Sequence, residues 1–240
     1  IPVYPADAST QITVAYATEF SALTSSTGNF TSVTLEGFLA GALTKISRSL
    51  INNTDIDVVA FIVRRMAYDI ARFLEKELVN PSDPSHKVVG LSNATNTKTA
   101  ASTSAITSDE LVEFQGKVKD VYQANAMWIM SPATRDAIRL LKDDVGRYML
   151  IDDLTAPFGK TLLGKPVYVS DAMENIAAGK TVIYYGDMSG LATKFSEEMN
   201  VQVLRELYAA EHAVGVVGWV EFDAKIQDQQ KIAAFKMASA

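Results

Sequence analysis

The two histidines are the side chains of this sequence best suited to acid–base chemistry near neutral pH. His212 directly follows Glu211, and a His–carboxylate pair of this kind would serve a small hydrolase. His86 lies in a polar, proline-flanked segment. The chain has no cysteine and lacks the Gly-x-Ser-x-Gly pattern of a nucleophilic serine. We therefore interpret both histidines as solvated or structural, and we expect no catalytic residue.

Three pairs of adjacent carboxylates are the next candidates, as oxygen ligands for Mg²⁺ or Ca²⁺. They are Asp143 with Asp144, Asp152 with Asp153, and Glu197 with Glu198. None has the spacing of a calcium loop, and adjacent side chains on a helix or strand point in different directions. Two isolated histidines without cysteine also make a poor transition-metal site. We predict solvated turns, with no metal site and no cofactor.

Residues 159–166 (GKTLLGKP) have the glycine and lysine spacing of a phosphate-binding loop up to the last position. That loop requires Ser or Thr after its lysine, to hold Mg²⁺, and a helix must follow. Here Pro166 follows instead and leads into an apolar run at residues 167–169. The segment is therefore predicted to form a hairpin or a strand entry, and not a nucleotide site.

The strongest helical pattern covers residues 55–79. Apolar side chains recur there at the helical period: Val59, Ile62, Val63, Met66, Ile70, Phe73 and Leu74. Thr54 or Asp55 is predicted to cap the start, and Asn80 with Pro81 to end the helix. At 1.5 Å per residue its length is roughly 37 Å, which suits a spine running across a flat subunit.

An extended two-stranded arm is predicted at the start of the chain. Apolar residues alternate with small or polar ones at 12–16, a turn follows, and Phe30, Val33 and Leu35 indicate a returning strand. Thr107 and Glu110 have capping-box spacing before a helix. That helix is expected to bury Leu111, Phe114, Val118 and Val121. A strand at 126–130, a helix at 132–141, and strands at 167–169, 181–185, 201–207 and 214–222 follow. The predicted fold class is α+β.

The composition is typical of a folded globular protein and argues against a nucleic-acid-binding protein. The 240 residues include 22 Lys and Arg and 28 Asp and Glu, which gives a net charge of −6. These charges are interspersed, whereas phosphate binding requires clustered basic residues. The apolar runs are far shorter than the ~18 residues of a membrane span. We expect a soluble protein, made in the cytoplasm, with no membrane partner.

Several motifs, in order along the chain, resemble the tailed-phage major capsid protein family, whose shell fold is shared with encapsulins. They are residues 127–134 (MWIMSPAT), 146–148 (GRY), 161–167 (TLLGKPV), 170–173 (SDAM) and 183–188 (IYYGDM). Residues 45–51 (KISRSLI) and the long helix extend the resemblance backward more weakly. The resemblance as a whole covers most of the chain.

This resemblance implies a phage-capsid shell fold built from three parts. An extended arm, similar to the family's E-loop, is expected at residues 1–30. A peripheral domain carrying the spine helix is expected at 31–105 and 190–222. An axial domain with a central mixed sheet flanked by helices is expected at 106–189 and 223–240.

The implied function is that of a structural major capsid protein and not of an enzyme. It would self-assemble through pentamers and hexamers into an icosahedral phage or prophage head enclosing double-stranded DNA, without sequence-specific binding. A scaffolding segment, a maturation protease and a portal are the implied partners, and a start at Ile1 fits removal of the scaffolding segment. The expected localisation is the virion, after assembly in the bacterial cytoplasm.

Candidate subunit contacts follow from the same interpretation. They are the apolar arm residues Ile12, Val14, Tyr16 and Phe20 and the helix residues Arg64, Arg65 and Arg72. An ordinary solvated helix face is the alternative for the arginines. The first lysine is Lys45, beyond the arm, so the shell is expected to be held by non-covalent contacts. An encapsulin-like compartment and a small hydrolase using His212 and Glu211 are the rival functions.

Overall fold

The computed structural model describes residues 1–3, 16, 19, 22, 31–83, 87–142, 145–152 and 159–239. The chain divides into two units. Unit 1 comprises Ile1–Thr34, Asn93–Ala192 and Ile226–Ala240, and unit 2 comprises Leu35–Ser92 and Thr193–Lys225. The predicted α+β class is confirmed, while the division into peripheral and axial domains stays a prediction.

The regular elements lie in the following order. The helices are α1 (Arg48–Asn52), α2 (Val58–Val79), α3 (Ser108–Gln115), α4 (Asp120–Gln123) and α5 (Pro132–Arg139). The strands are β1 (Pro2–Val3), β2 (Thr31–Ser32), β3 (Phe38–Ser47), β4 (Thr97–Thr99), β5 (Met127–Met130), β6 (Leu150–Asp152), β7 (Lys160–Leu162), β8 (Lys165–Val169), β9 (Thr181–Gly186), β10 (Leu191–Leu204), β11 (Ala213–Ile226) and β12 (Ile232–Lys236).

The long helix α2 forms as predicted but starts later. Asp57 caps it, its carboxylate accepting from the Ala60 N–H at 3.0 Å. The prediction of Thr54 or Asp55 as the cap was wrong, because the Thr54 hydroxyl donates to the Leu50 carbonyl at 2.6 Å at the end of α1. At 1.5 Å per residue the 22 residues of α2 span about 33 Å.

The capping box at α3 is confirmed. The Thr107 hydroxyl accepts from the Glu110 N–H at 3.3 Å, and the Glu110 carboxylate accepts from the Thr107 N–H at 2.9 Å. Burial alone would raise the pKa of Glu110, but hydrogen bonds from the Ala101 and Thr107 N–H groups lower it below its ordinary value. Val121 is 83% exposed, which corrects the prediction that it is buried, because α3 ends at Gln115 and Val121 lies on α4.

Unit 1 contains a seven-stranded mixed sheet in the order β4-β12-β9-β5-β8-β7-β6. Strand β9, an interior strand of this sheet, is buried at every position from Val182 to Gly186, as expected for a strand covered on both faces. Residues 160–169 form the hairpin β7–β8, as predicted. Leu163 and Gly164 at its tip have φ of 48° and 76°, the pattern of a two-residue type I′ turn. No helix follows Lys165, so the geometry of a phosphate-binding loop is absent from this hairpin.

An aromatic cluster fills the core of unit 1. Phe114 of α3 meets Trp128 of β5 and Phe235 of β12 with ring centroids 5.9 and 5.2 Å apart. Trp128 also lies 4.3 Å from the ring of Tyr185 on β9. The indole N–H donates to the Leu162 carbonyl at 2.9 Å, so the buried polar atom of the largest side chain is satisfied.

At the start of the chain, β1 and β2 form an antiparallel pair. The Ile1 amino group donates to the Val33 carbonyl at 2.7 Å, and the Val33 N–H donates to the Ile1 carbonyl at 2.9 Å. The predicted strand at residues 12–16 and most of the arm lie outside the described residues. The two ends of this segment therefore meet, and the shape of the arm between them stays a prediction.

Tyr184 gives unit 1 a specific sensitivity to alkali. It is 3% exposed, and burial raises its pKa from 10.0 to about 12. The folded state favours the neutral phenol, so this stabilisation is complete below pH 10 and is lost as pH rises toward 12. The whole shift corresponds to about 3 kcal/mol, and at pH 11.5 we expect the Tyr184→Phe variant to avoid a loss of about 2 kcal/mol.

Urea denaturation at about pH 8 and about pH 11.5 measures this difference. Tyr68→Phe is the matched control, because Tyr68 is exposed on α2. Equal alkaline losses in wild type and Tyr184→Phe would contradict the assignment to Tyr184.

Candidate assembly surface

One face of the unit 2 sheet is covered by helix α2. This sheet has the order β10-β11-β3, and β11 pairs antiparallel with β3 along ten residues. Gly218 of β11 lies directly under the helix, because a Cβ atom there would be 2.8 Å from Ile70 Cδ1 and 2.9 Å from Met66 Sδ. Alternate residues of β11 on this face are buried: Val214, Val216, Val220, Phe222 and Ala224.

The opposite face of β3 and β11 carries three large apolar side chains that are exposed. Leu39 and Leu43 of β3 are 62% and 54% exposed, and Trp219 of β11 is 40% exposed. Trp219 pairs with Gly41, midway between the two leucines, so all three side chains share one face. We call Leu39, Leu43 and Trp219 the Trp219 patch. Neighbouring large apolar side chains left in water are typical of an interaction surface.

The Trp219 ring lies directly on the backbone of Gly41. A Cβ atom at Gly41 would be 2.4 Å from ring atoms Cε3 and Cζ3 of Trp219, so no larger residue fits without displacing the ring. The glycine thus flattens the indole between Leu39 and Leu43. Leu39 and Leu43 flank this position on the same face of β3.

A polar cluster lies beside the patch, at Lys45 on the same face of β3. The Lys45 ammonium is 2.7 Å from the Glu211 carboxylate and 4.2 Å from the centre of the Tyr208 ring. The hydrogen bond to Glu211, partly opposed by desolvation, raises the pKa of Lys45. Lys45 therefore stays charged and engaged within its own subunit.

Glu211 and His212, the pair that the rival hydrolase function would use, make structural contacts. The Glu211 carboxylate binds Lys45. His212 is exposed with φ of 53°, and its carbonyl accepts from the Arg48 N–H at 3.0 Å. Both residues thus help to close the end of the sheet where β11 begins. His86 lies outside the described residues.

The arginines predicted as subunit contacts lie on the outer surface of α2, and all three are exposed. Arg65 pairs with Asp69 at 3.0 Å on the same helix. The guanidinium groups of Arg65 and Arg72 lie 5.4 and 6.0 Å from the centre of the Tyr68 ring. Contacts of Arg64, Arg65 and Arg72 with a neighbouring subunit stay a prediction.

Of the four arm residues predicted as subunit contacts, the structure describes only Tyr16. Tyr16 is fully exposed, whereas Ile12, Val14 and Phe20 lie outside the described residues. The role of these four residues as subunit contacts stays a prediction.

Neither a metal site nor a membrane span emerges from the part of the chain that the structure describes. Within these residues, no three His, Asp or Glu side chains gather to hold an ion. Glu197 and Glu198 are exposed on β10, and Asp143, Asp144 and Asp153 fall in the undescribed gaps. No described helix is long and apolar enough to cross a membrane.

Comparison with known proteins decides the family. The family model described as "Phage capsid family" matches residues 2–237, nearly the whole chain. The chain belongs to the phage capsid family. This confirms the resemblance read from the sequence, and it makes the molecule a structural capsid protein of a phage head. No curated protein matches the chain.

Solved capsid structures share the fold of this phage capsid family member. The capsid of a native GTA particle is 22% identical with a TM-score of 0.84, covering 100% of this chain and 84% of that chain. The capsid of an empty GTA particle is 22% identical with a TM-score of 0.80, covering 96% and 83%. A Gordonia phage Cozz chain is 14% identical with a TM-score of 0.70, covering 100% and 81%.

The Trp219 patch is the feature that sequence reasoning missed. Residues 214–222 were predicted as a strand, but residues 38–47 were not. A signal was present, since Leu39, Gly41 and Leu43 alternate with Ala40, Ala42 and Thr44. Small residues on both faces weaken that alternation. The residues of β11 that pair with this strand lie more than 160 positions further along the chain.

Proposed function

We propose that this capsid protein assembles through pentamers and hexamers into a closed icosahedral head around double-stranded DNA. The Trp219 patch is the observation that carries this proposal. A single subunit leaves Leu39, Leu43 and Trp219 in water, on a sheet whose other face is already covered by α2. We propose a second copy of this chain as the partner that covers the patch.

The contact would be heterologous, meaning that the patch meets a different surface of the neighbouring copy. Heterologous contacts that repeat around an axis close into rings, which suits pentamers and hexamers. Exposed apolar side chains elsewhere in the described chain offer surfaces of matching chemistry. They include Val121, Leu140 and Ile151 in unit 1.

Charge supports the proposed relation to DNA. The net charge of −6 and the interspersed basic residues favour a wall that encloses DNA without adhering to it. Many modest non-covalent interfaces would hold the shell. The first lysine of the chain, Lys45, is engaged by Glu211, which is consistent with a shell that lacks covalent links through the arm. A scaffolding segment, a maturation protease and a portal are the proposed partners in assembly.

The test is to express the full-length precursor with and without its maturation protease, and to examine the product by sedimentation velocity and negative-stain imaging. We expect rings or sheets and, with the protease, closed particles. Strictly monomeric material at high concentration would contradict the proposal.

Two other outcomes would favour the rival functions. A copurifying enzyme inside closed particles would indicate an encapsulin-like compartment. Turnover of a substrate by monomers, abolished in His212→Ala, would indicate a hydrolase.

A further inference from the structure

Asp223 is a fully buried carboxylate near the end of β11. It is 0% exposed. Its Oδ2 accepts from the Glu36 N–H at 2.8 Å, and its Oδ1 accepts from the Ala224 N–H at 2.7 Å. The Lys225 ammonium lies 3.6 Å from Oδ2. A buried charge is costly unless hydrogen-bonded and paired, and Asp223 has both kinds of partner.

The partners of Asp223 lie where the chain enters and leaves unit 2. Four connections cross the boundary of this unit, after Thr34, Ser92, Ala192 and Lys225. Asp223 binds Glu36, the second residue after the first crossing, and Lys225, the last residue before the fourth. One side chain thus holds two of the four connections directly.

The other two connections are held by hydrogen bonds close to Asp223. The Gly90 N–H donates to the Ala224 carbonyl at 2.9 Å, which ties the segment before Ser92 to β11. The Lys194 ammonium donates to the Leu35 carbonyl at 3.4 Å, which ties the segment after Ala192 to the start of the unit. All four connections therefore belong to one hydrogen-bonded cluster within unit 2.

The peptide group joining Leu35 and Glu36 is held at both of its polar atoms. Lys194 binds its carbonyl oxygen, and Asp223 accepts from its N–H. The next residue, Gly37, passes so close to Glu221 that a Cβ atom there would be 1.8 Å from Glu221 Oε1. Three successive residues are thus fixed immediately after the segment 1–34.

We propose that Asp223 is the positioning residue that gathers the four chain connections of unit 2 and fixes the point from which residues 1–34 depart. This role concerns the single subunit and holds whether or not shells form. If the proposed function is also correct, the same anchor determines where the arm leaves to reach a neighbouring copy.

Amide hydrogen exchange, resolved to single residues, tests this role in the full chain. In Asp223→Asn we expect exchange at Glu36 to accelerate at least about tenfold, the effect of losing a charge-assisted hydrogen bond. The Trp128 amide in unit 1 should not change. Asp69→Asn is the matched control, because Asp69 is an exposed carboxylate paired with Arg65. It should leave exchange at Glu36 as in wild type.

Uniform acceleration throughout unit 2, with no excess at Glu36, would overturn the proposal, since Asp223 would then be a general stabilising residue. If Asp223→Asn does not fold, exchange in the wild-type chain decides. Protection of the Glu36 amide as strong as that of the hydrogen-bonded amides of the β3–β11 pair supports the anchor, because the Asp223 carboxylate is its acceptor. Protection as weak as that of an exposed, unbonded amide overturns it. Particle formation in the folded variant is scored separately, so failure of assembly is distinguishable from failure of the anchor.

Discussion

Replacing Trp128 by alanine is expected to lower the free energy of unfolding by about 3–5 kcal/mol, the range for emptying a large aromatic site in a packed core. Trp128 is fully buried and contacts the rings of Phe114 and Tyr185. Alanine would leave a cavity among these rings, because β5 and β9 hold the surrounding side chains in place. It would also leave the Leu162 carbonyl without the indole donor.

Urea denaturation followed by far-ultraviolet circular dichroism measures this loss, because the signal does not depend on tryptophan. The other tryptophan of the chain supplies the matched control. Trp219 is partly exposed on an open sheet face, so Trp219→Ala is expected to cost no more than about 1 kcal/mol. Equal losses in the two variants would show that the aromatic cluster does not dominate the stability of unit 1.

Charging the Trp219 patch is expected to abolish assembly while leaving the subunit folded. In the double variant Leu39→Glu and Leu43→Glu, both carboxylates remain hydrated in the free subunit, because both positions are exposed on β3. Covering them with a neighbouring copy would bury two unpaired charges, which costs several kcal/mol per contact. Since every contact in a closed shell repeats, this penalty multiplies over the particle.

The melting temperature and sedimentation velocity of the purified subunit, followed by imaging of the coexpressed assembly products, separate these effects. We expect a melting temperature within a few degrees of wild type, with monomers in place of particles. The double variant Leu39→Met and Leu43→Met retains apolar side chains of similar volume and should still assemble. Normal particles from the glutamate variant would show that the patch is not a subunit interface.

Phe61→Glu controls for a general effect of surface charge, because Phe61 is another exposed apolar residue of unit 2. If it stops assembly as completely as the patch variant does, the loss is not specific to the Trp219 patch. If particles still form, the effect belongs to the open face of β3 and β11.

Elements specified by short stretches of sequence were predicted well. Each of these elements depends on residues that are close together in the sequence. They are helix α2, the capping box of Thr107 and Glu110, and the β7–β8 hairpin. In these elements the side chain that satisfies a backbone group is only a few positions away. Local spacing therefore carries enough information to predict them.

Elements that depend on distant partners were missed or shortened. Strand β10 runs over Leu191–Leu204, but only its end was predicted, because its polar first half lacks a buried stripe and is a strand by virtue of its place beside β11. Strand β12 was missed, although it lies between β4 and β9 in the unit 1 sheet. In both cases the hydrogen-bonding partner, rather than the strand's own side chains, determines the structure.

The sequence by itself determined the α+β class, the spine helix, the core residues Leu111 and Phe114, and the family, because motifs and apolar periodicity are local properties of a chain. Only the tertiary structure decided which apolar residues stay in water and which carboxylate is buried. Leu39 and Leu43 look like core residues until β3 pairs with β11 and α2 covers the opposite face. Asp223 looks like a turn residue until Glu36, far away in the chain, donates its N–H to it. Exposure and pairing arise from contacts between distant segments, and no short window of sequence contains them.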